Sequence, residues 1–452
     1  MISAIVFSIV FALLFVICQK NLTNRYLALF AGILLFPLGI FFSQSPTLRP
    51  MDLFLYGYFA IFLIFSPGQL YQDIKALPLK IPLLLILLFH FASVYVNEGT
   101  NPKQFYACTR EFMELYGFIF AAFIAGRHCG LNSIVKKFFV GTAVLCILSI
   151  LEILLQGNYP YTYICRAFPI YSGYYSLEEA VTIIRDWRVQ TMATTAHPTA
   201  WGTFLSCAIV LFANLWDRKV WIRKNVVIIL ALIVISLILC GSRTAIVCSA
   251  IGVGLTFLRK KHILFKIGFI GTLLFLGIVY INVLIGQVSQ QGHGSSLSLR
   301  QQQLIFTLVQ IERSPIFGNG VGFTKNVFEY DDDGRPINDA DIGGLESIIF
   351  RTLIDYGFLG LFAYYLYNLS LFILFFRRRN ESWAALVGCY MVFVSTIFVT
   401  LSGHIGNNAV FAYLAEGLLL GNLYKENEEP DEIDYSIDDE LPAKAEEDST
   451  ES

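Results

Sequence analysis

The sequence predicts an all-α polytopic membrane protein, with about 12–13 transmembrane helices and one long extramembrane loop containing short helices. Three observations carry that prediction. Of 452 residues, 56% are apolar and 15% charged, with a mean hydropathy of +0.62, whereas soluble domains are ~25% charged. The apolar residues fall in continuous runs, as helical spans of about 17–25 residues require, and not in the ~10-residue alternating segments of a β-barrel. The charge is also partitioned, with residues 425–452 at net −11 and residues 1–424 at net +9. Together these exclude a secreted disulfide scaffold, a coiled coil and an ordinary cytosolic enzyme.

In order, the expected spans are 1–18, 26–43, 51–66, 81–96, 112–126, 138–156, 199–216, 225–241, 244–258, 263–286, 355–376, 383–402 and 405–423. The weakest is 112–126, short and headed by Glu111 and Glu114. Met1–Cys18 lacks a charged leader and a small-residue cleavage site, so it reads as a first span. With the tail inside, the inner connections hold 17 Lys/Arg and the short outer ones hold Arg49, Lys103, Arg110 and Arg243. Cations concentrate in cytoplasmic loops, so the tail is expected inside and the long loop outside.

The chain thus divides into N-terminal spans (1–156), an outer segment (157–198), further spans (199–286), a large outer loop (287–354), C-terminal spans (355–424) and an acidic, compositionally disordered tail (425–452). The aromatics of 157–198 suit an interfacial belt or a sugar-stacking surface. In the large loop a helix is expected over 298–313, with Arg300 on the stripe of Leu304, Leu308 and Ile311 and directed towards the membrane. Ser314-Pro315 ends it, and IFGNGVGF forms a glycine-rich turn region.

No metal and no cofactor is expected. There is no Cys-x-x-Cys, most of the nine cysteines lie in apolar runs, and Cys108 and Cys165 are the two that fall in outer segments and could pair. The acidic stretch 330–341 misses the register of an EF-hand, so it reads as a solvated loop.

Charges at the edge of the bilayer are functional candidates. Arg243 stands in a Gly-Ser-Arg-Thr turn between two spans, on the face where cations are disfavoured. A guanidinium there is either a snorkelling side chain or a planar fork for phosphate oxygens. Arg300, Arg188, His197 and the pair Glu346/Arg351 complete the outer set. Arginines with one carboxylate suit an anionic substrate and a base.

The order GSRTA (241–245), SLRQQQLIFTLVQIERSPIFGNGVGF (298–323) and ESIIFRTLIDYGFLGL (346–361), with RVQTMATTAHPTAWG (188–202) upstream, resembles the O-antigen ligase/O-antigen polymerase superfamily of bacterial glycosyltransferases. The resemblance spans roughly residues 185–400. It implies a metal-independent transfer of glycan from undecaprenyl diphosphate to an acceptor hydroxyl on the periplasmic face of the inner membrane. By resemblance Arg243 and Arg300 hold the diphosphate; from their place on the outer face, Arg188, His197 and Arg351 are expected to bind substrate. Where the ligases carry a histidine base this chain has Glu346, which favours polymerisation of repeat units over ligation to lipid A core. The expected partners are the lipid-linked glycan, membrane lipid and a chain-length regulator, with no nucleic acid. A lipid-linked sugar transporter is the reading from another class. It is disfavoured because no internal repeat is evident and the unusual charges share one face.

Overall fold

A computed structural model of the chain describes residues 22–35, 43–44, 47–99, 101–159, 162, 184–185, 188–195, 197–216, 223–258, 296–324, 345, 347–403 and 409–425. Its helices are α1 (Leu22–Leu35), α2 (Pro50–Phe65), α3 (Pro67–Ala76), α4 (Lys80–Glu98), α5 (Pro102–Phe112), α6 (Phe118–His128), α7 (Leu131–Leu154), α8 (Pro198–Ala213), α9 (Arg223–Cys240), α10 (Arg243–Leu258), α11 (Ser296–Ile311), α12 (Ile348–Arg377), α13 (Trp383–Ser402) and α14 (Ala409–Leu423). Two antiparallel ladders of two-residue strands, β1 (Ser43–Gln44) with β2 (Thr47–Leu48) and β3 (Ile184–Arg185) with β4 (Arg188–Val189), are the strands among the described residues. The expected spans 1–18 and 263–286, the acidic stretch 330–341, Cys165 and the tail beyond residue 425 lie outside the described residues.

Among the described residues, α4, α7, α9, α12 and α13 are long and apolar enough to cross a bilayer, and α2 with α3 is a further pair bent by 116° at Ser66-Pro67. Burial sorts the long helices. Only 28% of the α4 window and 33% of the α7 and α9 windows are buried, against 67% for α13. The shorter helix α8 is buried all round except at Thr199, the mark of a central element.

Small residues allow the closest contact, between α6 and α14. A Cβ on Gly421 would lie 2.1 Å from the carbonyl oxygen of Phe123, one on Gly417 2.3 Å from that of Ile119, and one on Gly126 2.1 Å from that of Leu418. Gly417 and Gly421 are four apart and so share one face, the small-xxx-small device that lets membrane helices approach backbone to backbone. The same device joins α8 to α10, where a Cβ on Gly202 would meet Ala245 at 2.7 Å. There the Ser206 hydroxyl lies 3.1 Å from both the Ala245 carbonyl and the Ser249 hydroxyl.

The charges that weakened the span at 112–126 are matched. Between α5 and α6 the chain makes a π-helical turn, Met113–Gly117, a local widening common at functional sites. Glu114 pairs with Arg49 and with Arg110 (2.9 Å), and Glu111 pairs with Arg351 (2.6 Å). At the opposite ends of these helices, Asp73 of α3 pairs with Arg127, whose Nε also donates to the Tyr424 carbonyl (3.0 Å), and lies 2.9 Å from the His128 ring. Residues expected on the outer face thus meet one another, as do residues expected on the inner face.

Cys108 is buried and free. α11 covers the expected helix but presents a different side. Gln303, Thr307 and Ile311 are buried, whereas Leu304 and Leu308 are turned outward, 45% and 54% exposed. The expected stripe is therefore split, with Ile311 against protein and Leu304 and Leu308 turned outward.

Candidate functional site

The site residues fall into two groups. In the first, α8 starts at Pro198, whose fixed φ suits a first helical position. His197 is its N-cap, its Nδ1 accepting the Thr199 N–H at 3.1 Å. That bond needs an unprotonated Nδ1, and burial lowers the His197 pKa to about 4. The Arg243 turn lies alongside, since the Cys240 thiol donates to the Pro198 carbonyl (2.9 Å) and the Thr191 N–H to the Leu239 carbonyl (3.4 Å). Gly241 (φ +68°) reverses the chain, and Arg243 opens α10 with its side chain exposed. The N-terminal end of a helix and an exposed guanidinium together favour an anion. Upstream, Arg188 lies in β4, opposite Arg185.

The floor of this group was not anticipated. Glu152, 4% exposed on α7, accepts the Met192 N–H at 2.9 Å through Oε2. The Ser149 hydroxyl bridges Thr191 (2.7 Å) and the indole N–H of Trp201 (3.2 Å). Ala193, in the same turn, has φ +48°, a strained value for a residue with a side chain. In sequence Glu152 shows only as one acid in an apolar run.

The second group centres on a break in α12. Gly357 has φ +66° and ψ −165°, interrupting the helix two residues inside the expected span 355–376. The break leaves carbonyls and N–H groups that the helix cannot pair, and the turn after α11 supplies partners for both. The N–H groups of Phe358 and Leu359 donate to the carbonyls of Pro315 (2.9 Å) and Ile316 (3.2 Å), while those of Asn319 and Gly320 donate to the carbonyls of Ile354 (2.8 Å) and Asp355 (3.1 Å). Such backbone contact requires glycine. A Cβ on Gly318 (φ +72°) would lie 2.4 Å from the Tyr356 nitrogen, and one on Gly357 2.4 Å from the Ile316 oxygen.

Side chains close the joint. The Asp355 carboxylate, fully buried, accepts the Thr324 N–H (2.9 Å) and hydroxyl (3.0 Å). Arg351, expected to bind substrate, directs its guanidinium at Glu111 and, at 3.6 Å, at Asp355. Glu111 also accepts the Tyr356 hydroxyl (3.0 Å), and the Tyr356 ring stacks on His90 at 3.7 Å. Arg300, in the second turn of α11, donates from Nη1 to Gln303 at 3.2 Å. Glu346 lies outside the described residues. The role of the Ser-Pro-x-x-Gly-x-Gly and Asp-Tyr-Gly stretches as two halves of one joint is not visible in sequence, because neither half alone shows its partner. Among the described residues no cluster of three or more His, Cys, Asp or Glu could hold a metal ion.

The long apolar helices, with charges gathered at their ends, define an all-α polytopic membrane protein. Residues 226–365 match the family model described as O-Antigen ligase, a likeness that supports the O-antigen ligase/polymerase superfamily. The match contains Arg243, Arg300, Arg351 and the two segments 314–324 and 351–359 of the α12 joint, and leaves Arg188, His197, His90 and Glu111 outside it. No curated protein matches the chain.

Proposed function

We propose that the protein polymerises lipid-linked polysaccharide repeat units (O-antigen, capsule or exopolysaccharide) at the periplasmic face of a bacterial inner membrane. The observation that carries this reading is that one family match encloses both the exposed arginine opening α10 and the arginine of the docked helix α11. In the reaction the acceptor hydroxyl attacks the anomeric carbon, the bond from that carbon to the diphosphate oxygen breaks, and undecaprenyl diphosphate leaves. Arg243 and Arg300 neutralise the charge developing on its oxygens without a metal. Glu346 takes the hydroxyl proton. Arg188 and His197 border the donor, and Arg351 acts beside it through Glu111 and Asp355.

The second reading is ligation to lipid A core or another acceptor, favoured by the description of the matched family. Purified protein given carrier-linked repeat units alone separates the two. A polymerase yields a ladder of products of increasing length, whereas a ligase leaves the donor unchanged until a core acceptor is added. An inert preparation under both conditions would overturn both readings.

A further inference from the structure

Resting on the polymerase/ligase reading, we propose that Asn319 and Asp355 are positioning residues for Arg300. They pin the turn that follows the Arg300 helix into the break of α12. Asn319 is the direct tie. Its Nδ2 reaches the Gln310 carbonyl at the end of α11 (3.1 Å) and the Ile354 carbonyl at the break (3.2 Å), while its N–H reaches the same Ile354 oxygen at 2.8 Å. Asp355 holds the far end of the turn through the two bonds from Thr324. Its backbone oxygen takes the Ser93 hydroxyl (2.9 Å), and Asn97 donates to the Gly318 carbonyl (2.8 Å), so α4 buttresses the same joint.

The need for such a device follows from α11 itself. Among its described side chains Gln303, Thr307 and Ile311 are buried, while Leu304 and Leu308 are exposed. Of these three buried side chains only Ile311 is a large apolar one, so packing alone defines the helix position weakly. Polar ties at the break supply directional constraint instead. The consequence concerns catalysis, because displacements of about 1 Å can cost up to 10²-fold in rate.

Thr324→Val removes one hydroxyl and keeps the shape, Thr324→Ser restores the hydroxyl, and Asn319→Ala removes the side-chain tie to Gln310. Hydrogen exchange of the full chain in detergent is expected to rise across residues 300–324 in Thr324→Val and Asn319→Ala, and to stay at the wild-type level in Thr324→Ser. With carrier-linked repeat units, Thr324→Val should lower turnover about 10-fold in the wild-type background. In an Arg300→Lys background it should cost little more, because residues acting through one group are not additive. Unchanged exchange over 300–324, or an equal loss in both backgrounds, would overturn the proposal. A wild-type protein inert on lipid-linked glycan would defeat the functional reading instead, and the exchange measurement would still decide whether the joint holds α11.

Discussion

Arg243 is exposed at the first position of α10, where a snorkelling side chain and a phosphate ligand differ in what they require. Lysine can replace the first, but not a fork that grips two oxygens. Arg243→Lys is therefore expected to lose transfer nearly as fully as Arg243→Ala, measured as polymer yield at matched expression. Full activity of the lysine variant would show that only charge matters there. Glu346→Gln removes basicity at constant size and should lower transfer by roughly 10²–10⁴-fold, with carrier binding retained. Near-normal elongation by the well-folded variant would remove Glu346 from the mechanism. His197 makes a different prediction. Its folded pKa of about 4 lies below the unfolded value of about 6.5, so between these values the unfolded state binds more protons. The stabilisation is complete above pH 6.5 and is lost as the pH falls towards 4. His197→Asn keeps a capping oxygen without the titration, so its melting temperature should change less than that of the wild type across this window.

At the scale of elements, the break in α12 is the feature that local rules do not supply. The sequence places the segment 343–360 along the interface before it turns into the span 355–376, but Gly357 looks like an ordinary membrane glycine. Only the turn 314–324 gives its positive φ a purpose. Gly357→Ala places a Cβ 2.4 Å from the Ile316 oxygen in a left-handed conformation. We expect a loss of at least about 2 kcal/mol, seen as poor expression and a lower melting temperature. Gly322→Ala is the control. It shares the positive φ (+71°) but nothing lies within 4 Å of its Cβ, so about 1 kcal/mol is expected. Equal effects would mean that the backbone contact at the break contributes little. The hydrophobic stripe of α11 is split for a related reason. Periodicity reports which side chains share a face, but whether that face meets protein or lipid depends on the surroundings.

At the scale of the molecule, the ion pairs among the described residues gather at two ends. Arg49, Arg110, Glu114, Glu111 and Arg351 meet at one, Asp73, Arg127 and His128 at the other. With the acidic tail inside, exposed Arg313 of the long loop and exposed Lys136 at the start of α7 should lie on opposite sides of the membrane. In a background without native cysteines, an impermeant maleimide added to spheroplasts should label Arg313→Cys directly. It should reach Lys136→Cys only after permeabilisation, and the reverse pattern would invert the topology and the site with it.

By itself the sequence determined the class of protein, because continuous apolar runs and displaced cations are imposed by the bilayer on any chain that crosses it. Five of the expected spans coincide with described helices long and apolar enough to cross a bilayer, a sixth falls on the bent pair α2–α3, and the others that fall on described residues overlap shorter helices. It also singled out Arg243 and Arg300, since a guanidinium at the edge of lipid stands out against its neighbours. Only the tertiary structure decided what Arg351, Asp355 and Asn319 do. Their partners, Glu111, Thr324 and the end of α11, are apposed by folding and lie in other elements or beyond an intervening turn. A charge in sequence shows its cost in lipid, but the group that offsets that cost is chosen by which helices pack together.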